Sequence, residues 1–594
     1  MNSKRNNRIM RGWMLGLVFV IAASTLAPLT TAHAQALASA SPERKVEIPF
    51  NRYYTGAELE AWMAKIAEAH PELVELRSLG ESRNGRPLTL AIVTGPGELD
   101  HSEKPAIWID GSIHGNELQA SEVVLYTMWY LTEAHGRIPA ITTLLEDYTF
   151  YLMPLVNPDG RAYWFEEPAT PHTGRQSIRP RDLDRDGLVD EDPLDDLDGD
   201  GSITQMWRED PNGQWERDKH DPRRFYRVEE GQRGSWSLLG QEGLDRDGDG
   251  RANEDGPFGD DMNRAWPAGW KPDYVQRGAG LYPLEAPEAR VVAEFMIAHP
   301  NITTAQAYHN TGGMILRGPG AAHRSDFYPR EDLRVYDEMG RIGAQMLPHY
   351  NYWIIHEDLY IVHGGFVNWA AEGLGAFAFT NELMTFRHYF WSERRPDERA
   401  MWLFRDRLEF GLSFKDYEWF DHPQHGRVLI GGLNKWSSRL TPTFMLEEEA
   451  HRNAAFTFYH ADQMPKVDFD RVSTRRVAPG LWEVTAELRN EKLIPTRSAL
   501  QQNRGFGLPD LVECLPARGR VLIGGVVNHW QDRQLSREQA HEPGRLLLDE
   551  GVPSRGVRTV RFLVEGGDGD ELTLRYTSER AVDRERSVRL RAGE

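Results

Sequence analysis

The feature that most constrains this chain is a recurring unit: a short apolar run, a polar turn, then a helix-like pattern. PAIWIDGSIHGNE, from Pro105 to Glu117, begins as an apolar run and ends in a Gly-Ser turn. Ala120 to Gly136 follows with apolar residues at helical spacing and stops at glycine. YTFYLMPLVNPDG, Tyr148 to Gly160, is a second run into a turn. Glu285 to Pro300 reads as a helix, TTAQAYHN (Thr303 to Asn310) as a strand, and GAFAFTNEL (Gly375 to Leu383) as another apolar strand. Strands apolar on both faces that alternate with helices predict an α/β fold with a mixed, mostly parallel central sheet covered by helices. Ligands of such sheets bind beyond the carboxyl ends of the strands. His114, Asn157, His309 and Glu382 fall at or just past such ends.

After about Asp421 the texture changes. GRVLIGGLNKW (Gly426 to Trp436) and GRVLIGGVVNHW (Gly519 to Trp530) nearly repeat each other, with one helical segment, Thr443 to Asp462, between them. LWEVTAELRN, GVRTVRFLVEG and ELTLRYTSER alternate with period two. This predicts a β-rich, sandwich-like domain over residues 421–594.

The chain carries 69 basic against 90 acidic residues, a net charge of −21, which disfavours nucleic acid and anionic membranes as partners. Cys514 is the only cysteine, so an internal disulfide and a thiolate zinc site are both excluded. Any metal must sit on His, Asp and Glu. Lys4, Arg5, Arg8 and Arg11 precede an apolar run from Trp13 to Leu29, and Ala32-His33-Ala34 has a small-x-small form. That order predicts a signal peptide over residues 1–34 and an exported protein, periplasmic or secreted, with no membrane association after cleavage. No later run is apolar enough to span a bilayer.

His114 and Glu117 stand three residues apart in a turn after a strand, close enough to share one ion. Alone that spacing is weak. Together with NPDG (Asn157 to Gly160), DDMNRAW (Asp260 to Trp266), AYHN, YIVHGGFVNW (Tyr360 to Trp369) and AFTNEL, in this order, it resembles the zinc metallocarboxypeptidases, the carboxypeptidase A-like family. The resemblance covers residues 46–420. It implies one zinc on His114, Glu117 and His309, with Glu382 as general base. It implies Asn263 and Arg264 on the terminal carboxylate of a peptide or protein substrate, Tyr360 capping that end, and Asp261 on the outer nitrogen of His114. Two histidines and a carboxylate leave a position for water, whose pKa zinc lowers to about 7. Val367 stands where the family has its pocket residue and disfavours basic side chains. The resemblance also implies an arginine for the oxyanion between NPDG and Asn263; Arg175, Arg179, Arg181, Arg208, Arg223 and Arg224 all compete. The implied function is an exported zinc carboxypeptidase preferring apolar or aromatic terminal residues. Alternatives are a same-fold amidase or cell-wall peptide hydrolase, and a non-catalytic calcium-dependent binding protein on this fold. Retention of all four of His114, Glu117, His309 and Glu382 argues against the last.

An insertion, residues 165–258, carries three D-x-D-x-D-G stretches: Asp182, Asp184 and Asp186; Asp196, Asp198 and Asp200; Asp245, Asp247 and Asp249. Alternate hard oxygens before a glycine are calcium-loop openings. None has a bidentate Glu at the twelfth position, so paired EF-hands are excluded. Asp190 or Asp192 would complete the first turn, and Asn253 or Asp255 the third. Two readings stay open: calcium turns, or solvated acidic loops without a specific ion.

Overall fold

Fourteen strands build the two sheets nearest the site. They are β1 (Val74–Glu81), β2 (Pro87–Thr94), β3 (Ala106–Gly111), β4 (Thr149–Met153), β5 (Gln205–Gly213), β6 (Trp215–Arg217), β7 (Phe225–Arg227), β8 (Gly234–Gln241), β9 (Ile302–Asn310), β10 (Met314–Arg317), β11 (Asn351–Ile354), β12 (Phe377–Leu383), β13 (Phe414–His422) and β14 (Gly426–Leu433). This computed structural model describes residues 44–182, 187–529 and 531–591. The expected signal peptide and two residues of the first acidic loop, Asp184 and Asp186, lie outside the described residues. Contacts divide the chain into Met1–Glu47 and Ile48–Glu594, and every strand and helix named here belongs to the second unit.

The main sheet has the order β1-β2-β4-β3-β9-β12-β10-β11. Its four central strands, β4, β3, β9 and β12, run parallel; β1 joins β2, β2 joins β4 and β10 joins β12 antiparallel, and β11 runs parallel to β10. β3 and β9 are buried along their whole length, as befits central strands of a sheet covered on both faces, although β9 carries Thr303, Thr304 and Gln306. One face packs Trp108, Ala305, Ala307 and Ala378 against the helices Pro287–Ala298 and Phe366–Leu374. The opposite face meets the helices Leu118–Ala134 and Leu446–Asp462.

That last helix corrects the expected division of the chain. It seats on the main sheet: Tyr308 Oη donates to Asn453 O at 3.0 Å, and Asn381 Nδ2 to Asn453 Oδ1 at 2.8 Å. The expected boundary at 420/421 also falls inside the β13–β14 hairpin, whose β14 extends a six-stranded sheet of order β13-β14-β5-β8-β6-β7. The insertion is therefore a folded layer in which Trp207, Trp215, Phe225 and Trp236 pack with Leu429 and Tyr417 of the β13–β14 hairpin. Its apolar content sits in short strands among charges, which hides their period. The two halves of the near-repeat consequently part company. Gly426 opens β14, whereas Arg520–Val527 belongs to a different sheet; Trp530 lies outside the described residues.

From Val467 onward two antiparallel sheets, of five and four strands, face each other. Trp482, Val484, Val560 and Phe562 from one pack on Val512, Cys514, Leu574 and Tyr576 from the other. This is the expected β-rich, sandwich-like architecture.

Candidate metal centre

The loop after β3 carries His114 and Glu117, and its neighbours explain its shape. A side chain on Gly115 would bring its Cβ within 2.3 Å of the Gly160 carbonyl carbon, so this loop and the NPDG turn pack backbone to backbone. Asn157 holds the junction. Its Oδ1 accepts from Gly160 N at 2.9 Å, capping the helix Pro158–Glu166, and its Nδ2 donates to Gln176 O at 3.1 Å. That second bond fixes the segment carrying Arg175.

β9 brings His309 to the same point. His114 Nδ1 lies 3.1 Å and His309 Nδ1 2.9 Å from Glu117 Oε2, and the two nitrogens are 3.2 Å apart. Ligands about 2.1 Å from a tetrahedral zinc stand roughly 3.3–3.5 Å from one another, so these three atoms fit that ion. All three residues are buried. Burial opposes ionisation of Glu117, but the His114 and His309 rings outweigh it and hold the carboxyl well below its ordinary range.

Asp261 Oδ1 lies 2.9 Å from His114 Nε2, where it orients the ring. Burial opposes ionisation of Asp261 too, and His114, Arg264 and Arg175 keep it low. Arg264 is buried and donates from Nη1 to Asn263 O at 2.8 Å. The Gly-Gly pair docks on this segment: Trp266 N donates to Gly364 O at 2.9 Å, and a Cβ on Gly364 (φ 64°) would lie 2.3 Å from Arg264 O. Asn263 Oδ1 accepts from Phe366 N at 2.8 Å. Tyr360 stands half exposed after a π-helical turn, Ile355–Leu359. Val367 is buried in the core cluster with Trp266 and Trp369.

Glu382 is the register partner of His309 on adjacent parallel strands, which puts the two side chains on one face of the sheet. Burial, and then the Glu117 carboxylate, push its carboxyl up to about 7.

Of the six competing arginines, Arg175 reaches the site. Its Nη1 donates to Glu117 Oε1 at 2.9 Å, and its Nη2 lies 3.3 Å from Asp261 Oδ2. Arg179 and Arg181 instead clamp Asp260, at 2.7 and 2.9 Å, while Arg223 and Arg224 pair with Asp406 and Glu398. A further arginine lies outside that set. Arg439 Nη2 donates to Glu117 Oε1 at 2.9 Å. No sequence signal marks it, because NKWSSRLTP lies beyond every motif of the resemblance.

The acidic loops rearrange relative to expectation. Asp196 and Asp198 converge with Glu242, whereas Asp200 turns to Lys415 Nζ at 3.3 Å. Asp182 Oδ2 accepts from Gly187 N at 3.1 Å, and neither Asp182 nor Asp190 joins a cluster among the described residues. Asp245, Asp247 and Asp249 converge as their spacing predicts. Asp247 also meets Glu254 and Asp192, whereas Asp255 joins no such group among the described residues.

A zinc carboxypeptidase family model matches residues 59–397, more than half of the chain. The chain belongs to the zinc carboxypeptidase family. Residues 466–589 match a domain of unknown function, which leaves the β13–β14 hairpin, Arg439 and the helix Leu446–Asp462 outside both ranges. Carboxypeptidase B2 of Rattus norvegicus is 33% identical over 118 residues, 20% of this chain and 27% of that protein. Carboxypeptidase B of Astacus astacus is 36% identical over 115 residues, 19% and 36% respectively. The matches thus span about a quarter to a third of these relatives. Carboxypeptidase A from Helicoverpa armigera has a similar solved structure, with 15% identity, a TM-score of 0.43, and coverage of 72% of this chain and 77% of that one. Among the described residues no helix is long and apolar enough to cross a membrane.

Proposed function

We propose that this protein is an exported zinc carboxypeptidase that removes the C-terminal residue of peptides or proteins. The observation that carries the reading is a buried two-histidine, one-carboxylate cluster with a further carboxyl, the half-buried Glu382, beside His309 in the sheet register. His114, Glu117 and His309 would hold a zinc ion, which would supply Lewis acidity towards the scissile carbonyl and acidify a water. Asp261 fixes the His114 ring for that role. Arg264, with Asn263 beside it, presents a planar fork for the substrate's terminal carboxylate, and Tyr360 covers that end. Glu382 takes the water's proton and passes it to the leaving amine; a carboxyl near pH 7 suits both transfers. Arg175 directs its charge at the oxygen that becomes negative. An apolar Val367 supports preference for apolar or aromatic terminal residues. The basic-apolar-small order of residues 1–34 supports export.

Calcium belongs to the same proposal, at the third acidic turn. Asp192 is fully buried and groups with Asp247 and Glu254; its Oδ1 accepts from Arg246 N at 2.8 Å, while its Oδ2 has no hydrogen-bond partner among the described residues. Carboxylates this close, one of them fully buried, favour a hard cation between them.

The test uses one peptide series with free and amidated C-termini. Release of terminal residues from the free peptides, slowed by about 10²-fold or more on amidation, is the expected result. Equal cleavage of both would replace this reading with the amidase alternative.

A further inference from the structure

We infer that Arg439, supplied by the segment between the two matched ranges, is a positioning residue of the metal centre. This rests on the reading that His114, Glu117 and His309 hold zinc. The two oxygens of Glu117 are divided. Oε2 faces the histidine nitrogens, while Oε1 is occupied by Arg175 and Arg439, each at 2.9 Å. The guanidiniums therefore leave one oxygen to face the ion and oppose rotation of the carboxylate.

The two arginines are not equivalent. Arg175 divides its charge between Glu117 and Asp261. Arg439 Nη2 also donates to Asn310 O, at 2.6 Å, the residue directly after His309. One nitrogen thus ties the loop carrying the first two ligands to the strand carrying the third. Glu117 and His309 come from elements far apart in sequence, so their spacing needs such a tie.

Arg439 is held for this position by its surroundings. Its backbone is left-handed (φ 66°), a conformation rare for a side chain of this size and kept only where neighbours over-determine it. Four elements do so. Asn310 Nδ2 donates to Arg439 O at 2.8 Å, and Thr441 N donates to Gln119 Oε1 at 3.2 Å. Tyr53 Oη donates to Thr441 O at 2.6 Å, and the Thr441 hydroxyl donates to the buried Glu449. Glu449 also accepts from Met384 N, two residues past Glu382. The helix Leu446–Asp462 thereby braces Arg439 and the end of the strand bearing the proposed base.

Partners that orient a metal ligand commonly change affinity 10–100-fold when lost. The experiment measures zinc affinity of the full chain by chelator competition in wild type, Arg439→Gln and Arg439→Lys, with melting of the metal-free forms. Zinc binding about 10–100-fold weaker in R439Q is expected, with a smaller loss in R439K, whose ammonium lacks the planar fork. Metal-free melting should match wild type, and activity of R439Q should return at saturating zinc. Unchanged zinc affinity in R439Q overturns the inference, as does lost activity that excess zinc does not restore. Should R439Q not fold, unchanged affinity in R439K overturns it instead. A wild-type protein that binds no zinc sinks the underlying reading, a result distinct from equal binding by all three.

Discussion

The metal centre and the third acidic turn both gather carboxylates, yet they balance them differently. Glu117 and Asp261 are buried among two histidines and the guanidiniums of Arg175, Arg264 and Arg439, and both are held low. Among the described residues Asp192, Asp247 and Glu254 pair with one guanidinium, Arg246 at 3.8 Å from Asp192, and Glu254 is pushed up to about 7. The contrast separates two ways of building a cation site. One is preorganised by protein charges that surround its anionic ligand. The other leaves carboxylates facing one another, and there the proposed calcium would set the order.

The sharpest way to break this contrast is to remove a charge from each side. Arg175→Ala should lower kcat about 10²–10³-fold at saturating zinc, as loss of an oxyanion donor does. Asp192→Asn should leave kcat within about twofold, because nothing in the acidic turn touches the reacting atoms. Steady-state kinetics on one peptide reads both; equal losses would erase the distinction.

Next comes the partner of His114. Asp261→Asn keeps the shape and loses the charge that orients the ring. Zinc affinity should fall about 10–100-fold in chelator competition. An unchanged value would mean that the ring is fixed by packing alone.

The acidic side is tested by calcium and pH together. Burial first, then neighbouring carboxylates, raise Glu242 and Glu254 from the usual 4.5 to about 7. Between these values the folded chain holds protons that the unfolded chain has released. Calcium-free stability from these groups is therefore present below about pH 4.5, falls as pH rises through the window, and is gone above 7. Calcium takes the ionised forms, so its effect should grow in the opposite direction. At about 10 mM calcium and a dissociation constant of 10⁻⁴–10⁻³ M, stabilisation is about 1.4–2.7 kcal/mol at pH 8 and much less at pH 5. Unfolding curves that ignore calcium at both pH values would return the turn to a solvated acidic loop.

The smallest effect belongs to carboxylates that face solvent. Arg475 Nη2 and Glu483 Oε1, 2.9 Å apart on the outer hairpin of the sandwich, should couple by only about 0.2–1 kcal/mol in a double-mutant cycle. A larger coupling would show that exposure does not set the strength of such pairs in this protein.

Which parts were legible in the sequence depends on how local their signals are. The buried central strands and the helix after β3 announce themselves through unbroken apolar runs and helical spacing. His114, Glu117, His309 and Glu382 end such runs, so the sheet itself delivers them to one place. Arg175 was visible but indistinguishable from five neighbours, because its choice depends on Asn157 holding Gln176. Arg439 was invisible: its role arises from a segment that leaves the insertion's sheet and returns over the site. The same return displaces the expected boundary at 420/421, since the hairpin that spans it and a helix beyond it complete the N-terminal half. The convergence of Asp192 with Asp247 was likewise hidden, as 55 positions of chain separate them and only a folded insertion brings them together.

The central claim is that a zinc centre works with Glu382 as its base. The measurement is Glu382→Gln against wild type, with zinc quantified in both preparations and kcat measured on a peptide with a free apolar C-terminus. About one zinc per chain in each, with kcat lowered about 10²–10⁴-fold in E382Q, is the predicted result. Equal rates in the two proteins, or no zinc in either, would contradict it.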